Sequence, residues 1–257
     1  MLPAGLTNTG NTCYIISVIQ ALLSCVSFVA FIRRNNITTG LSGAILKILN
    51  KNSTNVEIVR NELFRHNKEY AKGLTGTASY AFTNIVQCLD TEIPGALDLF
   101  FTRKRVTVSC LDECITLEHP PIELTHLNIN NPWANLFLES TTGRSSMPSN
   151  CRVCDTELFQ KEFVTCVSDI IVIMLGVDEH GISEICRLNN VFIIPKVGGG
   201  YFTYKKKATI EYPGGHYTCR AERDGQIYKF NDNRVNKADS IDNLPNTVIL
   251  FYELQDT

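Results

Sequence analysis

The sequence is 257 residues long, 44% hydrophobic, and carries a formal net charge of -2. That is enough chain to bury a sizeable core in one large domain or two small ones, and the near-neutral balance excludes a surface built as a whole for nucleic acid or anionic lipid. Ten cysteines with no charged secretory leader before them point to reduced thiols in a cytoplasmic or nuclear setting rather than to a disulfide scaffold.

Residues 5–25, "GLTNTGNTCYIISVIQALLSC", join a polar, Asn- and Gly-rich turn directly to an apolar run. Asn11 and Thr12 are N-cap types, so the run predicts a helix over 14–23 with Cys13 at its start. The nineteen residues 14–32 hold no formal charge and precede Arg33 and Arg34, which reaches the lower limit for a membrane span. Ser17, Gln20, Ser24 and Ser27 interrupt them, so a buried helix and no membrane role are expected. Apolar residues three and four apart predict further helices over 41–49, 55–64 and 77–89, making residues 1–100 a helical lobe.

From Phe101 onward the texture changes to short β-rich runs: "RVTVSC", "IELTHLNI", "KEFVTCV", "DIIVIMLGV", "VFIIPKV", "YFTYKKKATIEY", "HYTCRAE", "QIYKF" and "TVILFYEL". Residues 140–150, "STTGRSSMPSN", read as a flexible loop. Asp224-Gly225 is a favoured type I′ hairpin pair between two of the runs. A helical front and a sheet-rich back make the fold class α+β, with a cleft between the lobes.

A thiol on the first turn of a helix meets unpaired N–H groups and the positive end of the helix dipole, which lowers its pKa and makes it nucleophilic. Cys13 has that position, and the backbone together with the Asn8 amide offers hydrogen bonds to an oxyanion. Such a nucleophile needs a base with an orienting partner. If Asp224-Gly225 is a two-residue turn, Arg223 pairs with Gln226 and His216 lies opposite Asn233. Asn231 is then diagonal to His216 on the same face, within about 7–8 Å between backbones. Asp232 points to the other face in this register, and Gly214 and Gly215 suggest close approach of another backbone.

"GLTNTGNTCY" resembles the cysteine box, and "GGHYTCRAERDGQIYKFNDNRV" the histidine box, of the ubiquitin-specific proteases, papain-like thiol hydrolases that remove ubiquitin from lysine side chains. The resemblance implies that Cys13 is the nucleophile, His216 the general base, Asn231 the third triad member and Asn8 the oxyanion side chain, with Asp232 a neighbouring acid that assists. Gly214, Gly215 and Tyr217 would line the channel for a Gly-Gly tail. "RVTVSCLDEC" and "NCRVCDTELFQKEFVTCVSDIIVIMLGV" resemble the two halves of the family's fingers region, so that Cys110, Cys114, Cys151 and Cys154 would hold a structural zinc. The remaining cysteines, Cys25, Cys88, Cys166, Cys186 and Cys219, are expected to be packing residues.

The implied fold is a papain-like cysteine protease, with a helical thumb over 1–100 and a β-rich palm with short zinc-ribbon-like fingers over 101–257, in a single catalytic domain. The implied function is a monomeric deubiquitinase that needs no catalytic cofactor. It would hydrolyse the bond after ubiquitin's C-terminal glycine through a thioester. The sequence departs from the family in three places. Ile16 stands where Asn is usual, "TASYAF" (77–82) lacks the acids of the family's tail-reading segment, and the loop before His216 is short. These departures leave two alternatives: a protease for another ubiquitin-like modifier, or an inactive ubiquitin-binding module.

Overall fold

A computed structural model of the chain describes residues 2–110, 114, 116–118, 122–124, 127–129, 144–166, 168–175, 190–195, 201–242 and 246–255. Its α-helices are α1 (Cys13–Leu22), α2 (Val26–Asn35), α3 (Gly40–Leu49), α4 (Glu57–His66) and α5 (Ala78–Glu92). The strands follow as β1 (Thr102–Cys110), β2 (Thr116–Glu118), β3 (Ile122–Leu124), β4 (Leu127–Ile129), β5 (Arg144–Asn150), β6 (Glu157–Cys166) and β7 (Ile170–Leu175). The last are β8 (Val191–Pro195), β9 (Tyr201–Glu211), β10 (Thr218–Arg223), β11 (Gln226–Asn231), β12 (Arg234–Lys237) and β13 (Thr247–Leu254). The helical front and sheet-rich back are those of an α+β chain.

Every residue of α1 after Cys13 is buried. A helix this apolar must be enclosed, and α1 lies among α5, β9, β10 and β11. The long apolar run is two helices, because the chain turns by 90° between α1 and α2. No single helix among the described residues is long and apolar enough to cross a membrane. The aromatic and β-branched residues of α2 disguise it in the sequence, yet Phe28, Phe31 and Ile32 fall on one helical face and are buried.

The larger sheet runs β12-β11-β10-β9-β13-β7-β4, with β8 added to β9. Its two faces divide by strict alternation. Ile170, Val172 and Met174 of β7 join the main core under the helices, with Ile249 and Phe251 of β13. Ile171, Ile173, Leu250 and Tyr252 form a second cluster on the opposite face, with Tyr204. Each fully buried apolar side chain of this size contributes about 1.5–3 kcal/mol, so the shared core ties the lobes together. The smaller sheet runs β2-β1-β6-β5, with β3 on β1.

Two expectations change here. Residues 144–150, read as part of a flexible loop, form β5 against β6, while 140–143 lie outside the described residues. The run 122–129 is two short strands, β3 on β1 and β4 parallel to β7.

The helices are also tied to one another through their ends. Glu92, at the end of α5, accepts hydrogen bonds from Leu41 N (2.7 Å), Ser42 N (2.8 Å) and the Ser42 hydroxyl (2.8 Å), capping α3 with a negative charge. Replacing Glu92 by Ala removes that cap and is expected to cost about 1–2 kcal/mol. Urea unfolding, with an unchanged slope and a lower midpoint, is the measurement that checks it.

Candidate active site

The site is built where the start of α1 meets the ends of β10 and β11. Gly10 (φ 108) and Asn11 (φ 54) turn the chain into the helix in left-handed backbone, which Gly and Asn tolerate best. Thr12 is the N-cap residue but makes no capping bond into α1. Its hydroxyl donates to Asn8 Oδ1 at 2.9 Å, and that same oxygen accepts from the amides of Gly10 and Thr12. The first-turn amides of α1 are therefore left for the thiol: the N–H groups of Cys13 and Tyr14 act on the half-buried Cys13 sulfur.

This turn is held from two sides. The Thr9 hydroxyl donates to Glu57 at 2.7 Å, and Glu57 is paired with Arg60, which also donates to the Tyr70 carbonyl at 2.8 Å. The Arg60 guanidinium holds the Glu57 carboxyl down at about 2. On the other side Leu6 N donates to Asp232 O at 3.0 Å, and a Cβ on Gly5 would fall 2.4 Å from Asn233 O. Gly5 is thus required by the close approach of the β11–β12 turn.

His216 follows Gly214 (φ 60) and Gly215 (φ 87). A Cβ on Gly214 would meet nothing within 4 Å, and one on Gly215 only the Tyr212 hydroxyl at 4.0 Å. The close backbone approach expected at this pair is absent among the described residues, and the glycines serve the left-handed turn itself. The Asp224-Gly225 turn (φ 50 and 73) and the Arg223–Gln226 pairing are as read from the sequence. The ladder, however, stops at Cys219–Phe230, and β11 folds back at Asp232-Asn233 to pair with β12. His216 therefore does not lie opposite Asn233. It sits in the loop before β10, with Nε2 2.9 Å from Asn231 Oδ1. With that oxygen as acceptor Nε2 carries the proton, and Nδ1 is the acceptor of the neutral ring.

Asp232 does not point away from His216. Its backbone is left-handed (φ 52), strand alternation fails there, and its Oδ2 lies 3.8 Å from His216 Nε2 while accepting from Asn8 Nδ2 at 3.1 Å. The Tyr217 amide, next to His216, favours the Cys13 thiolate. The Ala78 amide at the start of α5 likewise favours the ionised Tyr217 hydroxyl, and the Tyr217 ring lies 4.4 Å from that of Tyr212.

The thiol itself corrects an expectation. Burial pushes the Cys13 pKa above its ordinary 9.0 and the Asp232 carboxylate adds to this, outweighing the N–H groups of Tyr217, Tyr14 and Cys13. A helix start alone does not make this thiol acidic. Ile16 is 1% exposed and faces the core, so that position carries no polar group here. Sequence reading overlooked Thr9, Thr12, Glu57 and Arg60; only the N-cap type of Thr12 gave any signal.

At the tip of the smaller sheet the sulfurs of Cys110, Cys114, Cys151 and Cys154 all lie within 4.8 Å of one another, and all four are free thiols. Cys114 is 3.0, 3.5 and 3.4 Å from the sulfurs of Cys110, Cys151 and Cys154. Tetrahedral zinc with bonds of about 2.3 Å holds sulfurs about 3.8 Å apart, so this donor set fits a structural zinc. The amides of Cys154 and Val153 lower the Cys151 pKa, favouring the thiolate a metal needs. The three residues between Cys110 and Cys114, against two between Cys151 and Cys154, do not separate the pairs. Cys25, Cys88 and Cys219 are buried as expected. Cys186 lies outside the described residues.

Residues 4–96 match the family model described as "Ubiquitin carboxyl-terminal hydrolase". No curated protein matches the chain. Among solved structures the chain resembles a SAGA DUB module of Ubp8, Sgf11, Sus1 and Sgf73 bound to monoubiquitin. The TM-score is 0.80 at 16% identity, over 98% of this chain and 69% of the other. The same module bound to ubiquitin aldehyde matches with a TM-score of 0.78 at 16% identity, over 98% and 70%. A yeast SAGA DUB module with an Sgf73 variant matches at 0.76 and 16% identity, over 98% and 68%. At this identity the likeness is one of fold.

Two expectations follow. In a His216→Ala variant, alkylation of Cys13 by iodoacetamide rises with pH to a midpoint above the ordinary 9.0, because burial and Asp232 outweigh the backbone N–H groups around the thiol. Zinc analysis of the purified chain gives one equivalent per molecule. Cys151→Ser abolishes it and lowers the thermal midpoint, as a chelator does for the unsubstituted chain.

Proposed function

Taking as premise membership of the ubiquitin-specific protease family, which the family model and the fold support, we propose that the chain is a single-domain thiol deubiquitinase. It hydrolyses the isopeptide or peptide bond after ubiquitin's C-terminal glycine. One observation carries the reading: an imidazole bonded through Nε2 to Asn231 Oδ1 at 2.9 Å, in a chain whose one half-buried thiol at a helix start is Cys13.

In this mechanism Nδ1 of His216 takes the Cys13 proton, and the thiolate attacks the glycine carbonyl. Asn231 fixes the tautomer and the ring plane. The imidazolium that forms gains from Asp232, 3.8 Å from Nε2. Because burial raises the Cys13 pKa, thiolate forms as the proton moves to the imidazole. Asn8 has one amide proton on Asp232 and a second for the oxyanion, which it shares with the Cys13 amide. His216 then protonates the departing lysine amine, and water attacks the thioester.

The open space over Gly214 and Gly215 leaves room beside His216 for a Gly-Gly tail. The zinc-type cysteine cluster carries no chemical step; it cross-links the tip of the fingers.

A specific observation favours a second reading, a different ubiquitin-like modifier. The first turn of α5, capped by the Thr77 side chain and starting Ala78-Ser79-Tyr80, contains no acid for a cationic tail. Probes ending in a C-terminal electrophile, built on ubiquitin and on its relatives, separate the readings. The ubiquitin probe is expected to form a covalent adduct at Cys13. His216→Ala slows this on the order of 10²-fold or more, and Cys13→Ala abolishes it. Adducts only with another modifier's probe favour the second reading. No adduct with any probe, while small alkylators still reach Cys13, overturns the enzyme.

A further inference from the structure

We propose that Arg223, at the far end of β10 from His216, is a positioning residue that sets where Cys13 stands against His216 by clamping the C-terminal end of α1. The inference rests on the roles given above to Cys13 and His216.

Arg223 Nη1 donates to Leu23 O at 2.5 Å, and Nη2 donates to Gln20 O at 2.6 Å and Gln20 Oε1 at 3.1 Å. A helix leaves its last carbonyls without intrahelical partners. Here the amides of Ser24 and Cys25 take Ala21 O and Leu22 O, and Arg223 takes Gln20 O and Leu23 O. Among the described residues no carboxylate lies within ion-pair distance of this guanidinium. Its counter-charge is the negative end of the α1 dipole, and Phe230 lies under it at 5.6 Å. Burial lowers the Arg223 pKa to about 10, which leaves it charged at neutral pH.

The placement is what gives the clamp a function. Arg223 and Gln226 form the last pair before the Asp224-Gly225 turn, a stiff point of the sheet. The same strand begins just after His216, and α1 begins at Cys13. One helix and one strand are thus joined at their far ends by Arg223 and face each other at their near ends across the candidate site. Gln20 Nε2 also donates to Ala4 O at 3.0 Å, and two residues on, Leu6 N holds Asp232 O. The clamp is about 15 Å from the thiol by helix rise, so it acts through α1 and touches no reacting atom.

Gln20, Leu23, Ser24 and Arg223 border a partly open pocket of about 590 Å³, which gives the end of α1 room to shift once the guanidinium is lost. A displacement of about 1 Å between nucleophile and base is enough to cost on the order of 10²-fold in rate.

The test compares Arg223→Met, which keeps the stem and removes the fork, with Arg223→Lys, which keeps a single point charge. Both are assayed with the ubiquitin C-terminal probe and with iodoacetamide across pH. Arg223→Met is expected to lower the maximal rate of Cys13 adduct formation about 10-fold or more, with the half-saturating probe concentration unchanged within about twofold. It also moves the midpoint of Cys13 alkylation to higher pH, as the thiol loses the Tyr217 amide. Arg223→Lys falls between Arg223→Met and the unsubstituted chain. A folded Arg223→Met with unchanged maximal rate and midpoint overturns the proposal, as does a loss that only tracks the fraction of folded protein. Should Arg223→Met not fold, an unchanged rate and midpoint in Arg223→Lys overturns it. If the unsubstituted chain takes no modifier probe, the deubiquitinase reading fails, and the alkylation profile still decides the clamp.

Discussion

A ten-residue helix that is apolar except at Ser17 and Gln20 belongs in the interior, and the burial of α1 against β9, β10 and β11 is the constraint from which the site follows. Once α1 is enclosed, its N-terminus must emerge at an edge of the core, and Cys13 is the residue at that edge. The polar turn before it then has only a few ångströms in which to reverse direction, which is why Gly10 and Asn11 take left-handed backbone and why Gly5 has no room for a side chain. The hydrogen bonds from Leu6 to Asp232 and from Asn8 to Asp232 make the start of the chain and the β11–β12 turn a single unit.

The electrostatics of that unit are a balance of opposing effects. Burial and the Asp232 carboxylate hold Cys13 as a thiol, and three backbone amides pull toward thiolate. The carboxylate that opposes thiolate formation also lies 3.8 Å from His216 Nε2, so in the proposed mechanism its influence would reverse in sign as the proton moved to the ring. A thiol is also less exposed to oxidation than a thiolate, which would suit the proposed nucleophile.

The fingers cysteines follow a different logic. The tip of the smaller sheet brings together four sulfurs from two segments of the chain. A metal there would add to local stability. The departures from the family pattern also separate by physics. Ile16 points into the core and needs no polar partner, whereas the first turn of α5 is simply without an acid.

Much of this was legible from residue order. Cys13 at a helix start, the Asp224-Gly225 hairpin and its register, the helical front and sheet-rich back, and the two cysteine pairs are all local patterns, and local patterns are what periodicity and turn chemistry encode. The α2 helix was not legible, because its aromatic and β-branched residues favour strands in isolation and only burial of Phe28, Phe31 and Ile32 selects the helix. The positions of His216 and Asp232 escaped strand alternation, because a left-handed residue at the turn ends the two-residue period on which such an argument stands. The direction of the Cys13 pKa escaped as well, since the helix start is a local feature and desolvation is a property of everything packed around it. Sequence by itself determined which groups were available and the local elements that carry them. Only the tertiary structure decided how they face one another, because the distances and burial that tune a thiol are set by segments two hundred residues apart in the chain.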